Sequence, residues 1–463
     1  MRFKGVLKIS KLHFIQRVSA WLRLALSRLG IAQAGAWLCS RCSIAWPLFH
    51  LSHSIFLLFK HLHSPLCAYL KNKNLLYDRQ KNRLKLIYRT PLKISLALIF
   101  FMAMTLTTAV SAQEVHDKRT EEKWDKVFPL SETVRHRKVE FKNRYGITLV
   151  GDLYTPKSEG NRMALAVCGP FGASKEQSSG LYAMKMAERG FVTCAFDPSF
   201  TGESGGEPRR TSSPDINTED FLAAVDYLSC LPDVDEEKIG IIGICGWGGI
   251  ALNAAAVDPR IKATVASTMY DMCRVNGNGY FDENDSEEAR YAARKALATE
   301  RTKAMRTGQL TQGGGVVDPL PADAPQFVKD YYDYYKTSRG YHPRSGNSND
   351  GWHTFGCQAY FNARFLYYIN EIRSAVLIMH GEKAHSRYFG EDAFKYMVEG
   401  RAPGYDTVRK PNPVPENKEL LIIPGSNHCD LYDGGYSQLQ GQGQSKNCIP
   451  WDKIVDFIKR NMK

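Results

Sequence analysis

One stretch constrains the fold of this chain more than any other: Lys238-Ile-Gly-Ile-Ile-Gly-Ile-Cys245-Gly-Trp-Gly-Gly-Ile-Ala-Leu252. A run of β-branched residues stops at a cysteine, glycines follow at once, and Ala251 to Ala256 is compatible with a helix. The pattern is strand, sharp turn, helix, with a nucleophile-capable side chain at the turn. A cysteine attacks an acyl carbon only as the thiolate. The amides at the start of the following helix favour an anion there, so they lower the thiol pKa. A buried structural cysteine in a glycine-rich turn is the bland alternative.

Around this segment, strands and helices alternate. Strands are expected at Lys138–Lys142, Ile147–Thr155, Met163–Cys168, Phe191–Phe196, Lys262–Ser267, Ser374–His380 and Glu419–Pro424, besides Lys238–Ile244. Helices are expected at Glu176–Arg189, at Thr218–Leu231 with Asn217 or Thr218 as cap, and at Trp451–Met462. The charged residues Gln113 to Leu130 read as a loose lead-in. Alternation at this spacing points to an α/β fold, a mostly parallel central sheet with helices on both faces. The alternation breaks between Met272 and Ser374, where no strand is evident and Ser286–Ala304 and Gln326–Tyr335 read as helices. That region, about 273–373, is expected to be an inserted helical cap. Its aromatic residues Tyr331, Tyr332, Tyr334, Tyr335, Trp352 and Phe355 either line a pocket or dock the cap onto the body.

The residues that carry chemistry follow from this layout. The amide of Gly246, next to the nucleophile, is one expected half of an oxyanion hole. The other half is expected from the loop after the third strand, Gly169-Pro-Phe-Gly-Ala-Ser-Lys-Glu-Gln177, through the amide of Phe171 or Gly172. The base is expected after the last strand, and His428 in Pro424-Gly-Ser-Asn-His428 stands there. The orienting acid is expected after the penultimate strand, near Ala384, where no aspartate occurs. Glu382 is the nearest carboxylate and is preferred, with Asp271 as the second candidate. A cysteine nucleophile needs the acid less than a serine does, because its thiol is more acidic. The loop Asp197-Pro-Ser-Phe-Thr-Gly-Glu-Ser-Gly-Gly206 reads as structural, packed beside the turn. Gly243-Ile-Cys-Gly-Trp-Gly248 lacks the GxGxxG spacing of a dinucleotide site.

Taken together, the cysteine turn, the Lys175-Glu-Gln177 loop, the Gly-Glu-Ser-Gly-Gly206 loop and the ending His428-Cys-Asp-Leu-Tyr-Asp433 resemble the α/β-hydrolase superfamily, dienelactone-hydrolase-like branch. The resemblance covers about Arg137 to Met462. It implies hydrolysis of an ester, lactone or thioester through a covalent acyl-enzyme, with no cofactor and no metal. The chain departs from the family at Trp247, where a small residue is usual two places after the nucleophile, and at Ala384. These departures keep two other readings open: a catalytically silent binding protein, and an acyltransferase.

Charge divides the chain. Residues 1–112 hold 17 lysines and arginines and one acid, Asp78, while the rest carries 44 basic and 47 acidic residues. The net charge of +13 therefore belongs to the leader, and the nearly neutral remainder excludes a nucleic-acid reading. Within the leader, basic Arg89-Thr-Pro-Leu-Lys93 precedes a charge-free run, Ile94 to Gln113, that contains Ala109-Val-Ser-Ala112. These are the marks of a signal peptide cleaved after Ala112, hence an exported protein, periplasmic or secreted, meeting a membrane only through an uncleaved leader. A second charge-free run, Cys42 to Phe59, is weakened as a span by Pro47 and its histidines. Translation is expected to start near residues 85–93, unless the upstream segment is a basic arm. The hydrolase domain is expected over 131–463. Past the leader, Cys168 and Cys194 read as buried small hydrophobes, and Cys273, Cys357 and Cys448 are free to pair or not. The partner is a small ester-type substrate that the sequence does not name.

Overall fold

Eight strands build one sheet in the computed structural model, which describes residues 124–158, 160, 162–435 and 446–463. The expected leader and signal peptide lie outside the described residues. The strands are β1 (Val134–Lys142), β2 (Thr148–Pro156), β3 (Arg162–Cys168), β4 (Val192–Phe196), β5 (Val234–Ile244), β6 (Ile261–Ser267), β7 (Ala375–Gly381) and β8 (Lys418–Ile423). Their spatial order is β1-β2-β4-β3-β5-β6-β7-β8. β2 runs antiparallel to both β1 and β4, and every pair from β4 across to β8 is parallel. This is the α/β-hydrolase fold. Central strands such as β4 and β7 are buried along their whole length, as a sheet covered on both faces requires.

The longer helices are α1 (Ser178–Ala187), α2 (Pro214–Ser229), α3 (Gly246–Val257), α4 (Met272–Asn278), α5 (Glu287–Thr307), α6 (Gln326–Tyr335), α7 (Arg387–Glu399) and α8 (Trp451–Asn461). α8 buries Ile454, Val455, Phe457 and Ile458 on one face and leaves its charges outside. α2 begins four residues before Thr218. Pro214 occupies its first turn, a position where the missing N–H costs nothing, and Asn217 instead reaches back to accept from the Ser213 amide. α4, α5 and α6 lie between β6 and β7, as the expected cap does.

The lead-in is not loose from Trp124 onward. The Trp124 indole donates to the Phe128 carbonyl, Phe128 is buried, and Lys126 Nζ pairs with buried Asp152 at 3.0 Å. Two aromatics four residues apart in a charged stretch were the available signal. None of the eight cysteines past the leader is in a disulfide, and Cys168 and Cys194 are fully buried in the core.

Candidate active site

In a sheet of this kind the ends of the parallel strands converge on one edge, and ligands bind there. Five loops meet at that edge: Gly169–Gly172 after β3, Cys245 after β5, Thr268–Asp271 after β6, Ala384–Ser386 after β7 and His428 after β8.

The turn at Cys245 is tight. Cys245 has φ 60° and ψ −130°, a region costly to any residue with a Cβ, by about 1–3 kcal/mol. The turn is held by its neighbours: Cys245 N–H donates to the Ser267 carbonyl at 2.9 Å, and its own carbonyl accepts from Gly248 at 2.8 Å and Tyr270 at 3.2 Å. Gly243 has no side chain because a Cβ there would sit 2.0 Å from the Trp247 carbonyl oxygen. Trp247 does not crowd the turn. Its indole points into the core and packs edge-on against Phe221, with ring centres 5.4 Å apart, and Phe196, at 6.1 Å. Space beside it comes from Gly169, whose absent Cβ would lie 2.8 Å from Trp247 Cβ and 2.3 Å from the Ile244 carbonyl oxygen, at a φ of +103°. The glycine that this turn spares after Cys245 is thus supplied 78 residues earlier. Gly169→Ala is expected to cost roughly 2–3 kcal/mol through strain and collision, read as a lowered urea midpoint, while Gly190→Ala, in open space, costs less.

Cys245 forms the floor of a cavity of about 420 Å³. Phe171, Trp352, Tyr331, Tyr335, Tyr280 and Phe327 supply its aromatic walls. Phe171 and Trp352 face one another with ring centres 4.5 Å apart. The whole lining contains no Lys, Arg, His, Asp or Glu. Of the expected cap aromatics, Tyr331, Tyr335 and Trp352 line the cavity, whereas Tyr334 docks the cap by packing edge-on against Tyr432 at 4.9 Å.

The amides of Phe171 and Gly246 and the hydroxyls of Tyr432 and Tyr331 stand near enough to the Cys245 sulfur to favour its thiolate. Burial has the largest effect on the thiol and raises its pKa; these neighbours pull it down without cancelling the rise. The Phe171 loop is anchored from the cap, because the Gly172 carbonyl accepts from Ser348 Oγ at 2.7 Å and Ser345 Oγ at 3.0 Å.

His428 is 1% exposed, and its Nε2 lies 2.9 Å from the Tyr432 hydroxyl. Its Nδ1 lies 2.6 Å from Ser386 Oγ and 2.7 Å from Thr268 Oγ1. Burial, and after it the nearby His385 and His380, pushes the His428 pKa well below the usual imidazole range, so the ring is neutral. The structure thus brings Cys245, Gly246, Phe171 and His428 to one place, with Tyr432 between sulfur and imidazole.

The two carboxylates expected to orient His428 do not reach it. Glu382 is exposed and its side chain accepts the Gly425 amide at 2.8 Å, closing the turn after β8 on the outside of the sheet. Asp271 is buried, but it caps α4 by accepting from the amides of Cys273 and Arg274, each at 3.0 Å. Hydroxyls take the position instead. Tyr432 could have been suspected from its place four residues after His428, one helical turn on; nothing in the sequence marks Thr268 or Ser386.

Behind the turn lies a buried ion cluster. Lys175, 1% exposed, donates to Glu176 at 2.5 Å and to Asp197 Oδ2 at 3.1 Å, and it also pairs with Glu203. The oxygens of Glu176, Asp197 and Glu203 gather within 4.8 Å, as metal ligands would. The Lys175 ammonium already bonds all three, so a side-chain cation fills that role. The Lys-Glu-Gln loop and the Asp197 loop are in this way tied together, and Gln177 Nε2 ties them to the cap at the Gly340 carbonyl, 2.5 Å away.

Residues 172–270 match the dienelactone hydrolase family. The uncharacterized protein PA2218 of Pseudomonas aeruginosa is 50% identical over 344 residues, which span 74% of this chain and 85% of that protein. Its crystal structure superposes with a TM-score of 0.65, covering 75% of this chain and 99% of that one. The uncharacterized protein YcjY of Escherichia coli is 33% identical over 311 residues, 65% of this chain and 93% of that protein. Thiohydrolase aneE of Aspergillus aculeatus is 34% identical over 136 residues, 29% of this chain and 42% of that protein.

Proposed function

Because the chain belongs to the dienelactone-hydrolase-like branch of the α/β-hydrolase superfamily, we propose that it is an exported hydrolase that cleaves ester or thioester bonds through an acyl-enzyme on Cys245. The observation that carries this reading is the position of the Cys245 thiol. It sits on a strained turn at the floor of an uncharged cavity, faced by two backbone amides. In the reaction, the thiolate attacks the acyl carbon and His428 takes the proton. The amides of Gly246 and Phe171 hold the developing oxyanion, a contribution on the order of 3 kcal/mol for a single donor. Water then hydrolyses the enzyme thioester.

The cavity selects the acyl group. Its walls offer aromatic faces and tyrosine hydroxyls but no charge, so a carboxylate or ammonium on the acyl chain would be buried without a partner. A neutral aromatic or unsaturated acyl group fits that chemistry. The thiohydrolase among the relatives supports a thioester as one substrate class.

Mass spectrometry after brief incubation with 4-nitrophenyl benzoate is expected to show one acyl group on Cys245. An adduct on another residue would remove Cys245 as the nucleophile, and an intact thiol with no nitrophenol released would favour a binding protein without turnover. That second reading draws on one feature, the missing carboxylate at His428.

A further inference from the structure

We propose that Tyr432 is a catalytic residue that carries the proton between Cys245 and His428, and that the hydroxyls of Thr268 and Ser386 hold His428 in place of a carboxylate. The inference rests on the acyl-enzyme reading and deepens it.

The geometry leaves little choice of path. His428 Nε2 makes its hydrogen bond to the Tyr432 hydroxyl at 2.9 Å, Tyr432 and Cys245 line the same cavity, and that hydroxyl stands near enough to the sulfur to favour its thiolate. Tyr432 is fully buried and its ring is fixed edge-on by Tyr334 at 4.9 Å and Tyr335 at 6.1 Å. It also lines the cavity whose floor is Cys245. Burial raises its phenol pKa well above the usual value, which keeps the group protonated between turnovers.

A carboxylate on Nδ1 can only accept, so it forces the proton onto Nδ1 and leaves Nε2 as the base. Thr268 and Ser386 can each accept or donate. With Nδ1–H donating to one of them, the Nε2 lone pair accepts from Tyr432 O–H. The first step is then a double transfer. The Cys245 S–H proton moves to the Tyr432 oxygen as the Tyr432 proton moves to Nε2. The products are a thiolate and an imidazolium, and tyrosine is neutral before and after. The sulfur–carbon bond forms and the carbonyl π pair moves onto oxygen, against the amides of Phe171 and Gly246. Collapse expels the alkoxide or thiolate leaving group, which receives the imidazolium proton back through Tyr432. Water attacks the enzyme thioester and loses a proton to His428 by the same route. Cys245 leaves as the thiolate and is reprotonated. Without a carboxylate to stabilise the imidazolium, the resting pair stays neutral thiol and neutral imidazole, which is why the relay has work to do.

The test uses 4-nitrophenyl butyrate and the variants Tyr432→Phe, Ser386→Asp and Cys245→Ala. Tyr432→Phe keeps the ring and its packing. It is expected to lower kcat about 100-fold or more with KM nearly unchanged, the scale of a lost acid–base group. Alkylation of Cys245 by iodoacetamide should also move to higher pH, a change that loosened packing would not produce. Ser386→Asp, which puts an acceptor-only group on Nδ1, is expected to speed that alkylation at neutral pH. A Tyr432→Phe enzyme with kcat within about threefold of the parent and an unchanged alkylation profile would overturn the relay. No gain in Ser386→Asp would overturn the assignment of the hydroxyls. Undiminished turnover by Cys245→Ala would instead remove the acyl-enzyme reading on which both depend.

Discussion

Cys245→Ala is expected to abolish turnover, with kcat falling about a millionfold, the loss seen when a nucleophile is removed from a working constellation. The protein should fold as before. Alanine meets the same backbone strain at φ 60° that cysteine does, and it leaves only a small void beside Tyr432 and Tyr331. Cys245→Gly separates the two roles of the position. Glycine adopts this conformation freely, so relief of the strain, less the entropy glycine loses on folding, should raise stability by roughly 1 kcal/mol while activity is lost. A higher urea midpoint in the inactive glycine variant is the signature of a turn strained for function. A lower midpoint would show that the thiol stabilises the fold.

The second large effect lies behind the site. Lys175→Met removes a buried cation and keeps the length of the side chain. Glu176 and Asp197, both fully buried, then lose the ammonium they share. Breaking a buried ionic group by removing one partner costs about 3–5 kcal/mol, because the charge left behind stays out of water. Arg344 still reaches Glu176 at 2.8 Å, so the lower end of that range is expected. In the parent, burial disfavours the Lys175 charge, but Asp197, Glu176, Asp152 and Glu203 outweigh it and raise its pKa well above the ordinary value. Chemical denaturation measures the loss, and a variant within about 1 kcal/mol of the parent would show that the cluster tolerates an empty centre. Activity should fall as well, since Lys175 N–H is fastened to Asp197 at 2.8 Å and continues from the loop that presents the Phe171 amide.

Much of this architecture is legible one segment at a time. The glycine and β-branched pattern around Cys245 dictates strand, turn and helix, because Gly243 has a local steric reason to be small, the Trp247 carbonyl oxygen 2.0 Å from where its Cβ would sit. Strand edges fall within a residue of expectation where apolar runs are sharply bounded, as at β3, β6, β7 and β8. β5 begins earlier than its apolar run, at Val234, because Arg162 pairs with Val234 across a register shift that no local pattern announces. The break in alternation is visible in the sequence, and helices do fill it between β6 and β7, but which of its aromatics line the cavity depends on how α6 rotates against the Tyr432 loop.

What the sequence determined by itself was therefore the hydrolase scaffold and the places of Cys245, Gly246, Phe171 and His428 at one end of it, since each follows from a pattern within ten residues of a strand end. The partners of that histidine were decided by the tertiary structure alone. Ser386 and Thr268 stand 42 and 160 residues from His428 and meet its Nδ1 only because β6, β7 and β8 lie side by side in register. Glu382 is close in sequence to the place an acid should occupy, yet the turn points it outward to Gly425. Strand ends fix where a backbone arrives, but the direction of a loop side chain is set by whichever neighbour satisfies it, and that neighbour comes from elsewhere in the chain.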